Sequence, residues 1–230
     1  MSERPAILLV HGAWHGSWCW DLVRPILEAS GRQVHTVDLP TVHAAGKELL
    51  GLADDAATVR EAIGAINGPV VVVAHSYGGA PTSVGAAGLD NVRHVVFIAA
   101  FALDAGESLL GAVGGVAPSW WNIEGDMVRA GTAEEPPETL FFGDVPAEQA
   151  AAAVERLESQ PIRPFQDELS AAAWHVVPST YIVTDLDAIF PAVAQEGLAS
   201  RAGSAVVHLA TSHSPFLSRP EATAEIILAV

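Results

Sequence analysis

Cationic side chains are scarce: Lys and Arg number 11 against 27 Asp and Glu, Lys47 is the only lysine, and the formal net charge is −16. A surface that negative repels nucleic acid and anionic lipid, which sets both aside as partners, and it favours solubility. Cysteine is scarcer still. Cys19 stands alone and can form no internal disulfide, so the fold does not depend on an oxidising compartment. Long apolar runs are also missing: the opening MSERPAILLVHG holds only five apolar residues in succession before His11. That is too short for a secretory signal core and far too short to span a membrane, and a cytoplasmic protein is expected.

What is present fits a well-covered sheet. Half of the residues are hydrophobic and only 17% are charged, which excludes a disordered chain and suits strands buried on both faces. A length of 230 residues fits one α/β domain carrying an insertion, with no internal repeat or separating linker.

Short runs rich in Val and Ile recur at 6–10, 33–38, 69–75, 93–100, 180–184 and 205–210 and read as buried strands. Stretches of helical character lie between them, at 17–30 (closed by Gly31), 48–66, 77–88 and 219–229 (Pro220 near its start). Strands alternating with helices imply right-handed crossovers and a mostly parallel sheet of about six strands with helices on both faces.

The alternation breaks between Asp104 and Val177. That stretch holds Trp120 and Trp121, the patch GTAEEPPET, and one clear helix, DVPAEQAAAAVERLES, with Asp144 as its expected cap and Pro146 near its first turn. The expected division is a core of residues 1–103 and 178–230 with residues 104–177 inserted as a cap over the sheet. The Trp-rich cap could also carry a homodimer contact.

In a parallel α/β sheet the ligand crevice lies beyond the carboxyl ends of the strands. VVVVAHSYGGA, residues 70–80, puts Ser76 at such an end, between a buried strand and an Ala/Gly-rich helix. This is the context of a nucleophile elbow, where small residues flank the serine so that the chain can turn sharply. Here the first small position is Ala74 instead of glycine. The bland reading of Ser76 is a helix cap.

A serine hydroxyl needs a base to take its proton and a carboxylate to orient that base, in the chain order Ser, acid, His for this architecture. His213, just after the strand 205–210, is the expected base, whereas His208 lies inside that strand. Three carboxylates compete as the acid: Asp187 in YIVTDLDAIFP ranks ahead of Asp185, and Asp104 comes third. The oxyanion formed on carbonyl attack needs two backbone donors. Tyr77 N–H is one, and Ala13 N–H in HGAWHG is the other, with Gly12 leaving room for the backbone to approach. Trp14, Trp120, Trp121, Phe141, Phe142 and Phe190 are candidates to line an apolar substrate cleft. His15 and His75 flank the chemistry and read as packed loop histidines. No cofactor or metal is expected.

Four segments together resemble the α/β-hydrolase fold, and more narrowly the group of methyl esterases, hydroxynitrile lyases and pyrethroid-type carboxylesterases. They are LLVHGAWHGSWCWDLVRPILEASGRQVHTVDLP, VVVAHSYGGAPTS, TDLDAIFP and TSHSPFLSRP. The resemblance implies that the acid is Asp187 and that the sheet starts directly at its first parallel strand. The lyases of this group carry threonine where Gly12 stands and lysine where Ser214 stands, so the resemblance implies hydrolysis. The expected function is a serine hydrolase that cleaves a small, largely apolar ester through an acyl-enzyme. The alternatives are a small-molecule receptor on the same fold, or another activity such as thioesterase, lactonase, amidase, cofactor-independent oxygenase or lyase.

Overall fold

A computed structural model describes residues 4–230. Among them, six strands form one parallel sheet in the order β2-β1-β3-β4-β8-β9. They are β1 (Ala6–Val10), β2 (Val34–Val37), β3 (Val70–His75), β4 (Val92–Ile98), β8 (Ser179–Thr184) and β9 (Ala205–Leu209). Each lies within about two residues of its expected run. The first parallel strand opens the sheet, as the resemblance implied.

The Val/Ile runs become strands because both sheet faces are covered. β1, β3 and β8 are buried at every residue, and each apolar side chain moved out of water there contributes about 1.5–3 kcal/mol. β9 is an edge strand and only partly covered, with Val206 and His208 exposed.

The covering helices are α1 (Val23–Ala29), α2 (Pro40–His43), α3 (Leu52–Ala65), α4 (Gly79–Gly85), α9 (Ala192–Arg201), α10 (Pro215–Ser218) and α11 (Pro220–Leu228). The helix expected at 17–30 is divided into a 3₁₀ turn, Ser17–Trp20, and α1. Gly31 follows α1 with φ +83°, a conformation that costs glycine little. The helix expected from 48 begins at Leu52, because a separate 3₁₀ turn occupies Lys47–Leu49.

Between β4 and β8 lie α5 (Leu109–Ala112), α6 (Pro137–Phe142), α7 (Ala147–Val154), α8 (Arg163–Gln166) and a small antiparallel sheet. Its strands are β5 (Trp121–Glu124), β6 (Met127–Ala130) and β7 (Gln160–Pro161). This sheet was not expected, since strands of two to four residues show too few alternations to read. Asp144 is not the cap of α7. Pro146 holds that position, and the Asp144 carboxylate instead accepts the Ser212 hydroxyl beside His213.

Candidate active site

The site sits at the carboxyl ends of β1, β3, β8 and β9. β3 ends at His75, a 3₁₀ turn spans Ser76–Gly78, and α4 begins at Gly79. Ser76 takes φ +51°, a left-handed conformation that costs a non-glycine residue about 1–2 kcal/mol and marks a constrained turn. The turn is held tight from outside. A Cβ at Gly78 would collide with the backbone carbonyl of His11, at the end of β1, and Phe101 N–H donates to Ser76 O at 3.1 Å. Ala74 is tolerated in place of glycine because it lies within β3 itself, fully buried between Val10 and Phe97 of the flanking strands.

His213 follows β9 and is buried. Its Nδ1 lies 2.6 Å from Asp187 Oδ2. Asp187 is further held by Ile189 and Phe190 N–H at 3.0 and 2.9 Å and by the Thr184 hydroxyl at 2.9 Å. Burial alone would raise this carboxyl, but His213 and the donated hydrogen bonds outweigh it and hold Asp187 below the usual carboxylate range. Asp185 and Asp104 do not meet His213. Asp185 pairs with His208 at 2.8 Å on the surface, and Asp104 with His175 at 2.8 Å.

The other ring nitrogen of His213, Nε2, is buried without a partner among the described residues. It forms no hydrogen bond to Ser76, yet His213 and Ser76 line one cleft. Such contacts are often long before substrate binds and tighten in the Michaelis complex.

The cleft, of about 430 Å³ including its mouth, is also lined by Ala13, Trp14, Tyr77, Trp120, Trp121 and Phe190. Phe101, Leu109, Val113, Pro118, Phe165 and Ile189 line it too and were not expected. Phe101 and Phe190 stack at 4.5 Å. Phe141 and Phe142, expected as lining, are instead buried behind it among His15 and Trp14. Gly12 is not a lining residue either. A Cβ there would lie 2.8 Å from His75 Nδ1 and 2.9 Å from Ser76 Cβ, so Gly12 lets the β1 loop press against the serine.

No Lys, Arg, Asp or Glu lines the cleft. The nearby imidazoles are neutral: burial pushes His11 down to about 4, His15 down to about 3, and His75 well below its ordinary value. Near the proposed oxyanion position, Ala13 N–H has no acceptor among the described residues. Tyr77 N–H belongs to the first turn after β3, where no intrahelical acceptor exists.

Gln195 was missed by the sequence reading. It is fully buried, donates to Phe190 O at 2.6 Å and to Asp187 Oδ2 at 3.3 Å, and accepts from Thr184 N at 3.0 Å. It shares with Ala199 the only buried stripe of α9, and a glutamine four residues from an alanine on a helix carries no warning of that role.

His11, Asp38 and His43 bring ligand-type atoms within 4.8 Å of one another. His11 has no lone pair to give, because Nε2 accepts Leu39 N–H and Nδ1 bonds the Gly12 carbonyl. The trio therefore does not suit a metal ion.

The family signature described as "Alpha/beta hydrolase family" matches residues 7–226. The chain is 28% identical to a pyrethroid hydrolase of Sphingobium wenxiniae, over 96% of this chain and 85% of that protein. It is 31% identical to methylesterase 9 of Arabidopsis thaliana over a shorter region, 59% of this chain and 57% of that one. The crystal structure of a pyrethroid hydrolase from Sphingobium faniae JZ-2 superposes with a TM-score of 0.86 at 27% identity, covering 98% of this chain and 96% of that chain.

Proposed function

The chain belongs to the alpha/beta hydrolase family, and from that premise we propose that it is a carboxylesterase-type serine hydrolase acting through Ser76, His213 and Asp187. The observation that carries this reading is the 2.6 Å bond from His213 to the buried Asp187, with the opposite ring nitrogen left unpartnered beside the cleft that Ser76 lines. The relatives named above as hydrolase and methylesterase support ester cleavage.

The mechanism follows from those positions. His213 Nε2 takes the hydroxyl proton as Ser76 Oγ attacks the ester carbonyl carbon. The oxyanion is held by the N–H groups of Ala13 and Tyr77, each worth roughly 3 kcal/mol. The intermediate collapses as His213 returns its proton to the departing alcohol, leaving an acyl group on Ser76. Water, deprotonated by His213, then releases the acid. Asp187 stays ionised throughout and stabilises the imidazolium.

An uncharged, aromatic cleft suits a neutral, largely apolar ester and offers no clamp for a carboxylate or phosphate. Residues 104–177 act as the cap, supplying Leu109, Val113, Trp120, Trp121 and Phe165 to that cleft. Gly12 and Ser214 disfavour cyanohydrin cleavage, since the threonine hydroxyl and the lysine charge that the lyases carry at those two places are missing.

No helix among the described residues is long and apolar enough to cross a membrane. The buried free thiol of Cys19 and the acidic surface support a cytoplasmic setting without nucleic acid or membrane partners. Light scattering on the eluting peak tests homodimer formation. Since Trp120 and Trp121 turn into the cleft, such a contact would use other residues.

Turnover of p-nitrophenyl butyrate by the wild type, labelling of Ser76 by a fluorophosphonate, and loss of both in Ser76→Ala are the expected results. Labelling without turnover of any short ester would make the chain a receptor instead. Activity in Ser76→Ala above about one-hundredth of wild type would remove Ser76 as nucleophile.

A further inference from the structure

A buried polar chain runs behind the cleft and touches one oxyanion donor residue, Tyr77, and the neighbour of the other, Ala13. Trp14 N–H donates to Gln160 Oε1 at 3.2 Å, and Gln160 Nε2 donates to Thr41 Oγ1 at 2.8 Å. The Thr41 hydroxyl donates to Asp55 Oδ2 at 2.6 Å, and the Tyr77 hydroxyl donates to that same oxygen at 2.6 Å. Thr41 N–H closes on Asp55 Oδ1 at 3.0 Å. Gln160, Thr41 and Asp55 are all fully buried.

The donor directions are forced. A backbone amide can only donate, so Gln160 must present its oxygen to Trp14 and its NH₂ to Thr41. Thr41 Oγ1, having accepted from Gln160, spends its one proton on Asp55. The ionised carboxylate ends the chain as a pure acceptor of three neutral donors. No Lys or Arg bonds to it, and burial in that setting pushes its carboxyl up to about 6. An acid in the first turn of α3 suits the helix dipole. The dipole does not require an acid whose bonds reach two other elements, α2 through Thr41 and the turn after β3 through Tyr77.

We propose that Asp55 and Gln160 are positioning residues of the oxyanion hole, joined through Thr41 into one buried hydrogen-bond chain that holds the Trp14 amide at one end and the Tyr77 hydroxyl at the other. The inference rests on the serine-hydrolase reading above. Trp14 follows the donor Ala13 and has φ +62°, a backbone conformation that needs external support. Tyr77 is itself the second donor. A carboxylate in α3, a hydroxyl in α2 and an amide in β7 thus set the two donor segments relative to each other. Because Gln160 belongs to the cap, the cap helps assemble the catalytic site as well as shape its cleft.

The test compares Gln160→Met and Tyr77→Phe, singly and together, on p-nitrophenyl butyrate. Each removes the hydrogen-bonding atoms of one link while keeping similar bulk. Each single variant should lose about tenfold in kcat with KM within about twofold, since a displaced donor weakens only the transition state. The melting temperature should fall far less than that loss would need if unfolding caused it. The double variant should lose clearly less than the product of the singles, because both cut one chain. Wild-type kcat in both singles, losses that track the folded fraction, or fully multiplicative losses would each overturn the inference. If the wild type neither turns over ester nor reacts with fluorophosphonate at Ser76, the hydrolase reading fails and takes this one with it. If the wild type does both and the variants match it, only the positioning role fails.

Discussion

His75 Nε2 lies 2.9 Å from the backbone carbonyl oxygen of His213, so the residue before the serine holds the loop that carries the imidazole. A carbonyl only accepts, which puts a proton on Nε2, and burial, which pushes His75 well below its ordinary value, keeps the ring neutral. The two rings also pack at 4.7 Å between centroids.

His75→Leu removes that donor while retaining an apolar side chain. The orphaned, buried carbonyl should cost about 1–3 kcal/mol of stability, and the loosened loop should lower kcat by about tenfold. Urea denaturation and ester kinetics read the two effects. Unchanged kcat would show that the His213 loop needs no such tether.

Asp187→Asn should lower kcat by about 10³- to 10⁴-fold with the fold intact, because the amide favours the wrong imidazole tautomer. Ester turnover alongside circular dichroism checks this. A loss under about tenfold would point to another acid.

The same carboxyl has a stability signature. Its folded-state value is held low, so its contribution is in place above the ordinary carboxylate pKa of about 4 and disappears as the pH falls below that range. Wild type should therefore lose its stability margin over Asp187→Asn on acidification.

Asp55 works in the opposite direction. Its folded-state carboxyl titrates at about 6 against an ordinary 3.8, with Asp54 nearby adding to the rise that burial causes. Between those values the folded protein holds a proton that the unfolded chain has released, and stability falls as pH rises through that window. The whole difference is worth about 3 kcal/mol. Relative to Asp55→Asn, wild type should be more stable at pH 4 than at pH 7 by about that amount. A gap independent of pH in urea denaturation would contradict it.

Gly12→Ala should cripple the enzyme while leaving every catalytic side chain chemically intact. The added carbon would press on His75 Nδ1 and Ser76 Cβ, and relieving such overpacking costs about 1–3 kcal/mol. The shift falls on the serine itself, so kcat should drop about 100-fold. A variant with wild-type kcat would show that the loop can retreat freely.

The sequence made the proposed catalytic rim legible because its residues stand at strand ends, and strand ends can be read from the Val/Ile runs that precede them. Ser76, His213 and Asp187 each follow such a run, and the cleft brings Ser76 and His213 together. The rank order of the acids could not come from spacing. Asp185 and Asp187 lie two residues apart, and only the turn after β8 sends one to His208 and the other to His213. The polar supports were hidden for a different reason: Gln195, Thr41 and Asp55 look like ordinary surface residues until long-range packing buries them. The aromatic lining was only half legible, since Phe141 and Phe165 differ in nothing local, yet one sits behind the cleft and the other lines it.

Trp14 is fastened at three points to β6, β7 and the residues just before β7. Its indole N–H donates to Val128 O at 3.1 Å, its carbonyl accepts Glu158 N–H at 2.9 Å, and its amide meets Gln160. A wall riveted in this way cannot swing aside without dismantling the machinery beneath it. The stretch from Val113 to Pro118 also borders the cleft and has no such fastening to Trp14. There Gly114 and Gly115 adopt positive φ with open space around them, and Val116 stands out in solvent. If the bounding wall yields anywhere it is at these glycines, so bulk added there should lower kcat/KM for esters while leaving kcat unchanged.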